Sequence, residues 1–418
     1  MSSSPAELGP AVVPAAKPEK RLSGRKLATA LALGFSSLSL AAGAASASEH
    51  SGSIPSSLAA DEAAMVFGFD TNKIWVPELA DAEAEARSVA QAGGQEIRML
   101  VPYSVGGVEV NTDLDRYCNA LVATQKYGLK LEMGFDGHFR KGSKNEAKVK
   151  RKSTWGYFPT NVVERWQLHT QLFNLMSYLA SGKCLDENGN PVEATEFDFD
   201  INEPNYRERY KQPDMAKNVA DLLVYLTPRL RQDAEKLGVN LNVTAAAVTL
   251  SPADNPFGFI KDFKDSLPAG EPLPFDSILF NDYAFSQSTA ENLDMTSQNA
   301  SLTQAVNLVR EDFGQDLPVG ISELGASSDT PKDKEDLYSV AVPPTVSAFE
   351  GSNQGMFYKK MITLAACLRL SGVNVFHQSD DGGDQLRTGT RFPDGTLKPS
   401  DRIVAHAESQ VHLGQVSC

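Results

Sequence analysis

The sequence lacks the features that would place the protein across a membrane or on nucleic acid. Beyond the first 48 residues, no run contains the ~20 apolar residues that a membrane-spanning helix needs. The formal net charge of −14 over 418 residues argues against a nucleic-acid-binding protein, because contacts with phosphates need a basic surface. We therefore expect no membrane span in the processed chain and no nucleic-acid partner.

Motifs for metals and cofactors are also absent from the sequence. The six histidines form no H-E-x-x-H pattern, the four cysteines form no C-x-x-C pair, and no G-x-G-x-x-G follows the first predicted strand. Asp198, Asp200 and Asn202 are spaced like the start of a calcium loop. That loop requires glycine at its sixth position and glutamate at its twelfth, where this chain has Glu203 and Arg209. We expect neither a metal nor a cofactor.

The amino-terminal segment has the pattern of a secretory signal. Basic residues precede the apolar stretch Leu27–Leu40, and an A-x-A cleavage pattern ends at Ala47. The alternative, a membrane anchor, requires a longer apolar run. We therefore expect a signal peptide at 1–47, a Ser/Ala-rich linker at 48–60 and one domain at 61–418. The processed protein is expected to be secreted or to lie in the periplasm or cell envelope, as a monomer.

Strand-like and helix-like segments alternate eight times along this domain. A doubly wound sheet usually carries a glycine-rich turn after its first strand, and this chain has none. The repeats therefore predict an α/β fold of the (β/α)8 barrel class. The last helix is predicted to begin at Asp401, capped by Ser400. The predicted strands are Met65–Asp70, Glu96–Tyr103, Lys130–Phe135, Glu196–Asn202, Leu241–Val248, Ser277–Asp282, Val319–Glu323 and Val373–His377.

Two of these strands end in glutamate. In TEFDFDINEPNY, acidic and apolar residues alternate up to Ile201, and the pattern stops at Asn202-Glu203-Pro204. Pro204 cannot extend a strand, so Glu203 is left at its carboxyl end. In LPVGISELG, Glu323 ends a short apolar strand. Because parallel barrel strands end at one face, where barrel enzymes place their chemistry, we expect Glu203 and Glu323 to face one cleft.

NEP at the end of strand four, with SELG at the end of strand seven, resembles the retaining (β/α)8 glycoside hydrolases of clan A. The resemblance covers about Met65 to Val404. It implies that Glu203 is the acid/base and Glu323 the nucleophile of a hydrolase acting on an oligo- or polysaccharide. The alternative is a catalytically inactive barrel that binds polysaccharide. Asp282 stands where the clan often has histidine, and this leaves the individual family open.

The resemblance also implies substrate-binding roles for neighbouring residues. Asn202 is expected to bind the sugar 2-hydroxyl, or else to cap the strand end. Arg98 is expected to pair with Glu323, or to form a structural ion pair. Tyr283 is expected to orient Glu323, or to be an ordinary interior tyrosine. His377 and Gln378 lie at the tip of strand eight and are expected to bind sugar hydroxyls, or to lie on a solvated acidic loop.

A long loop after strand three carries three aromatic residues, Trp155, Tyr157 and Phe158. If they fold over the cleft, they can stack on two or more sugar units, which favours a polymeric substrate. The preceding basic residues are expected either to form a positive rim that attracts an anionic glycan or to lie on a solvated surface. They are Arg140, Lys141, Lys144, Lys148, Lys150, Arg151 and Lys152.

The four cysteines allow no, one or two disulfides. Cys118 and Cys367 lie in helical patterns and are equally consistent with buried thiols. In a barrel, the seventh and eighth helices are neighbours. Cys367 falls late in the seventh helix and Cys418 follows the eighth, so Cys367–Cys418 is the favoured pairing.

Overall fold

Eight parallel strands close into a barrel in the computed structural model. The structure describes residues 65–104, 114–138, 158–206, 212–284, 295–326, 353–377, 389–391 and 397–418. The barrel strands are Val66–Asp70, Glu96–Ser104, Lys130–His138, Glu196–Ile201, Asn240–Thr249, Ser277–Ala284, Val319–Ala326 and Gly372–Phe376. The first strand pairs with the eighth, which closes the barrel. The predicted (β/α)8 fold is confirmed.

Each barrel strand is followed by a helix. The helices, labelled α1 to α8, are Leu79–Gln91, Leu114–Lys126, Val162–Leu179, Met215–Leu237, Pro256–Ser266, Met295–Phe313, Asn353–Cys367 and Pro399–His412. The predicted Ser400 cap is wrong. Helix α8 begins at Pro399, and Ser400 lies inside it, where its hydroxyl donates to the buried Gln354 side chain at 2.7 Å. Proline at the first helical position is favoured, because its missing N–H would have no partner there.

The strands place their side chains alternately outward, against the helices, and inward, into the barrel. On the fourth strand, Phe197 and Phe199 face outward and line an apolar layer shared with α3 and α4. Asp200 lies on the opposite face and binds Arg98 of the second strand. The apolar core therefore lies between barrel and helices, while the barrel interior holds charged groups.

Two disulfides join elements outside the barrel. Cys367, the last residue of α7, is bonded to Cys418, as predicted. Cys118 of α2 is bonded to Cys184 of a short hairpin, so the expectation of a free buried thiol at Cys118 is wrong. The hairpin, Cys184–Leu185 with Pro191–Val192, was not predicted because each strand has only two residues. None of the helices in the described ranges combines the length and apolar character of a membrane-spanning segment.

Candidate active site

The centre of the candidate site is Arg98, whose side chain is completely buried inside the barrel. Four carboxylates from four other strands surround it. The distances are 2.5 Å from Nη1 to Asp70 Oδ2, 2.7 Å from Nη2 to Asp200 Oδ2, 2.8 Å from Nη1 to Glu323 Oε1 and 3.8 Å from Nε to Glu132 Oε1. One guanidinium therefore ties the first, third, fourth and seventh strands to the second.

The acidic groups outnumber the cation that neutralises them. Burial raises the pKa of Asp70, Asp200 and Glu132 above the ordinary carboxyl value, although the Arg98 charge opposes the shift. A guanidinium stays protonated, so it supplies a fixed positive charge among groups that titrate.

Gly134 on the third strand makes room for this guanidinium. A Cβ atom at this position would lie 2.5 Å from Arg98 Nη2, which is too close for any side chain. Glycine is required here because Arg98 approaches so closely. The backbone conformation of Gly134 is not the reason, because its φ angle lies outside the left-handed region.

Glu323, at the carboxyl end of the seventh strand, has hydrogen bonds at both carboxylate oxygens. Oε1 accepts from Arg98 Nη1 at 2.8 Å, and Oε2 accepts from the Tyr283 hydroxyl. Burial raises the pKa of Tyr283, and the negative charges of Glu323 and Glu203 raise it further. The phenol therefore stays protonated and keeps donating to Glu323 well above neutral pH.

Glu203 follows the fourth strand in a strained backbone conformation. Its φ angle of 45° lies in the left-handed region, which is uncommon for a residue with a side chain and often marks a functional site. Its amide donates to the Ala247 carbonyl at 2.9 Å, which fixes the turn against the fifth strand. After burial, the negative charges of Glu323 and Glu203 both raise the pKa of Tyr283, so both carboxylates lie near its phenol.

Asn202, directly before Glu203, is also held by side chains. Its Oδ1 accepts from Arg98 Nη2 at 3.2 Å and from Asn281 Nδ2 at 3.1 Å. The structure thus brings Arg98 and Tyr283 into contact with Glu323, and Arg98 into contact with Asn202, the residue that precedes Glu203.

Of the other predicted substrate-binding residues, His377 is described by the structure, whereas Gln378 and Trp155 are not. His377 follows the eighth strand and is 8% exposed, and the preceding Phe376 ring packs edge-on against Tyr283. Gln378 and Trp155 lie outside the described residues, as do Tyr157 and the seven basic residues of the long loop. Phe158 is described, and the expectation that it stacks on sugar is wrong. Its ring belongs to the apolar core at 2% exposure.

Five residues of this network are not predicted by the sequence reasoning: Asp70, Glu132, Asp200, Asn281 and Ser322, whose hydroxyl donates to Asn281 Oδ1. For the two aspartates a signal existed, because EFDFDI places acids at every second position of its strand and VFGFD ends an apolar strand in Asp70. Nothing in the sequence distinguishes Asn281 and Ser322 from ordinary polar strand residues.

No family model matches the chain, and no curated protein sequence matches it. Several solved structures match its fold. A GH5_18 protein from Streptomyces cattleya, in complex with GlcNAc, has a TM-score of 0.53 at 18% identity, over 84% of this chain and 80% of that one. The endo-1,4-beta-mannanase from Rhizomucor miehei has a TM-score of 0.58 at 12% identity, over 84% of this chain and 95% of that one. A fungal beta-1,4-galactanase has a TM-score of 0.53 at 14% identity, over 82% of this chain and 100% of that one.

The chain shares the fold of these glycoside hydrolases. At such low identities the likeness concerns the barrel as a whole and assigns no residue a role. What the individual side chains do must be argued from the site itself.

Proposed function

We propose that the protein is a retaining glycoside hydrolase acting on a β-linked oligo- or polysaccharide, with Glu203 as acid/base and Glu323 as nucleophile. The observation that carries the proposal is the position of Glu323, whose two carboxylate oxygens accept from Arg98 Nη1 and from the Tyr283 hydroxyl, with Glu203 near enough for its charge to act on the same phenol. Double displacement requires two carboxyl groups beside the scissile bond, and Glu203 and Glu323 both stand at the carboxyl ends of barrel strands.

In the first step, Glu203 donates a proton to the leaving glycosidic oxygen while a Glu323 oxygen attacks the anomeric carbon. This forms a covalent glycosyl ester and breaks the glycosidic bond. In the second step, Glu203 takes a proton from water, which attacks the same carbon and releases Glu323. Arg98 and Tyr283 fix the direction of the Glu323 carboxylate throughout, since each binds one of its oxygens.

The proposal predicts the effect of changing either glutamate. Glu323→Gln and Glu203→Gln should each lower kcat/KM by roughly 10³-fold or more, because each removes a group that acts on the reacting atoms. Glu235→Gln, on the exposed side of α4, is the matched control and should leave the rate unchanged. Hydrolysis would be followed on β-1,4-mannan, β-1,4-galactan and their oligosaccharides, since enzymes named for such substrates share this fold.

Proton NMR of the first product identifies the mechanism, because double displacement releases the β-anomer from a β-glycoside. Release of the α-anomer would contradict retention, and full activity in Glu323→Gln would contradict the nucleophile. If the wild type binds these glycans without cleaving them, the protein is the inactive polysaccharide-binding barrel instead.

We also propose that the protein is exported by the segment 1–47. Two disulfides support this, because such bonds form and persist in oxidising compartments.

A further inference from the structure

The hydrogen bonds around Asn202 have a direction that Arg98 imposes. A guanidinium only donates, so the Asn202 atom that lies 3.2 Å from Arg98 Nη2 must be the carbonyl oxygen Oδ1 and not the amide nitrogen. Arg98 itself is held in place by Asp200, whose Oδ2 accepts from Nε at 3.1 Å and from Nη2 at 2.7 Å. The orientation of the Asn202 amide therefore follows from a buried ion pair.

Two further residues continue the same chain of hydrogen bonds. Asn281 of the sixth strand donates from Nδ2 to Asn202 Oδ1 at 3.1 Å, so its own carbonyl oxygen is left as an acceptor. Ser322 of the seventh strand donates to that oxygen at 2.5 Å. Asn202, Asn281 and Ser322 are each at most 1% exposed, so water does not compete for these bonds.

The chain of bonds fixes which end of Asn202 is offered to a ligand. Both donors bind Oδ1, and within the described residues nothing accepts a hydrogen bond from Nδ2. Rotating the amide by 180° would turn Nδ2 toward Arg98 and Asn281, which are both donors. Asn202 is thus held with its donor nitrogen available beside Glu203.

We propose that Asn281 and Ser322 are positioning residues that hold Asn202 as a donor to the sugar hydroxyl adjacent to the reacting carbon. The inference rests on the proposed hydrolase function and deepens it. A hydrogen bond to the 2-hydroxyl strengthens as charge develops in the transition state, so a fixed donor at this position accelerates the reaction. Neither Asn281 nor Ser322 needs to contact the sugar.

The test compares a substrate that has the 2-hydroxyl with one that lacks it. Aryl β-glycosides and aryl β-disaccharides of mannose, glucose and galactose are screened, and the one that the wild type cleaves is compared with its 2-deoxy counterpart. Asn281→Ala should lower kcat/KM roughly 10-fold or more on the hydroxylated substrate and less than about threefold on the 2-deoxy substrate. Asn281→Asp should lower it further, because an ionised carboxylate would accept from Asn202 Nδ2 and favour the rotated amide.

Ser322→Ala tests the same chain one step further from Asn202. It leaves Asn281 in place, removes the donor to its oxygen, and should give a smaller loss with the same preference for the hydroxylated substrate. Melting temperatures of all variants identify any that fail to fold, and the smaller Ser322→Ala change then carries the test.

Equal losses on the two substrates in an active enzyme would overturn the positioning role while leaving the hydrolase function intact. A wild type that cleaves none of the screened aryl glycosides would overturn both.

Discussion

At the scale of the residue, the site depends on how charges are shared inside the barrel. Arg98 Nη1 donates to both Asp70 and Glu323, so one nitrogen serves a buried acid and the proposed nucleophile. Burial raises the pKa of Asp70, which favours its protonated, neutral form. A neutral Asp70 leaves the Arg98 charge to Glu323. Tyr283 then orients the second Glu323 oxygen without adding charge.

Asp282, beside Tyr283, is an acid that the proposed reaction does not use. It is 3% exposed, and within the described part of the chain its buried Oδ2 has no hydrogen-bond partner. Burial raises its pKa to about 7, well above the value of 3.8 that it has in water. The folded protein therefore holds a proton on Asp282 over a pH range in which the unfolded chain has released it.

This pKa shift predicts that Asp282 makes stability depend on pH. Its contribution is fully present below about pH 4 and is lost as pH rises through about 7, because ionisation is then forced on a buried group. Between pH 5 and pH 8 the free energy of unfolding should fall by roughly 2–3 kcal/mol relative to Asp282→Asn, which does not titrate. Urea unfolding at both pH values measures this difference.

The matched control is Asp262→Asn, which changes an exposed acid on α5. It should follow the wild type at both pH values. If Asp282→Asn also follows the wild type, the raised pKa of Asp282 is wrong.

At the scale of the element, a helix cap and a small hairpin stabilise the outer layer of the barrel. Asn161 begins α3, with its side chain accepting from the amides of Val163 and Glu164 at 3.1 and 3.0 Å. Helix α3 then leads into the hairpin, which the Cys118–Cys184 bond attaches to α2. The disulfide thus fixes two consecutive outer helices through a hairpin too short to be stable alone.

Removing this disulfide should lower stability more than activity. The bond closes a span of 66 residues, for which the loss of chain entropy in the unfolded state corresponds to about 4 kcal/mol. The double variant Cys118→Ala, Cys184→Ala should unfold at lower urea concentration and keep most of its kcat/KM, because neither residue contacts Arg98, Glu203 or Glu323.

The double variant Cys367→Ala, Cys418→Ala is the comparison, since it opens a span of similar length, 51 residues, at the carboxyl terminus. The entropic account predicts similar losses for the two. Unchanged stability in both would contradict it.

At the scale of the whole molecule, closure of the barrel creates the site. Glu203 follows the fourth strand and Glu323 lies on the seventh, and these two strands are not neighbours in the sheet. Arg98 reaches both regions only because the barrel interior is enclosed, binding Asn202 beside Glu203 with one nitrogen and Glu323 with another.

The whole chain also carries the proposed export signal, outside the described residues. Expression of the full sequence in a secreting host should release a protein that begins at Ser48, because cleavage follows the small residue Ala47. Amino-terminal sequencing and intact mass measure this. Ala47→Arg should block processing, whereas Ser46→Ala should not, since the middle position of A-x-A is not restricted. A released protein that retains residues 1–47 would contradict the proposal.

The sequence by itself determined the fold and the two proposed catalytic glutamates. Eight repeats of strand and helix predict a barrel, and Pro204 shows where the fourth strand ends, since proline cannot continue it. The Cys367–Cys418 pairing followed from the adjacency of helices in that barrel. These features are local or follow from topology, so a pattern along the chain predicts them.

Only the tertiary structure decided what surrounds the glutamates. Asp70, Asp200 and Asn281 lie far apart in sequence, and their roles arise from contacts with Arg98 and Asn202 across the barrel. Phe158 likewise resembles a surface aromatic in sequence but packs into the core. Contacts between distant strands depend on register and barrel closure, which residue patterns within a single strand do not specify.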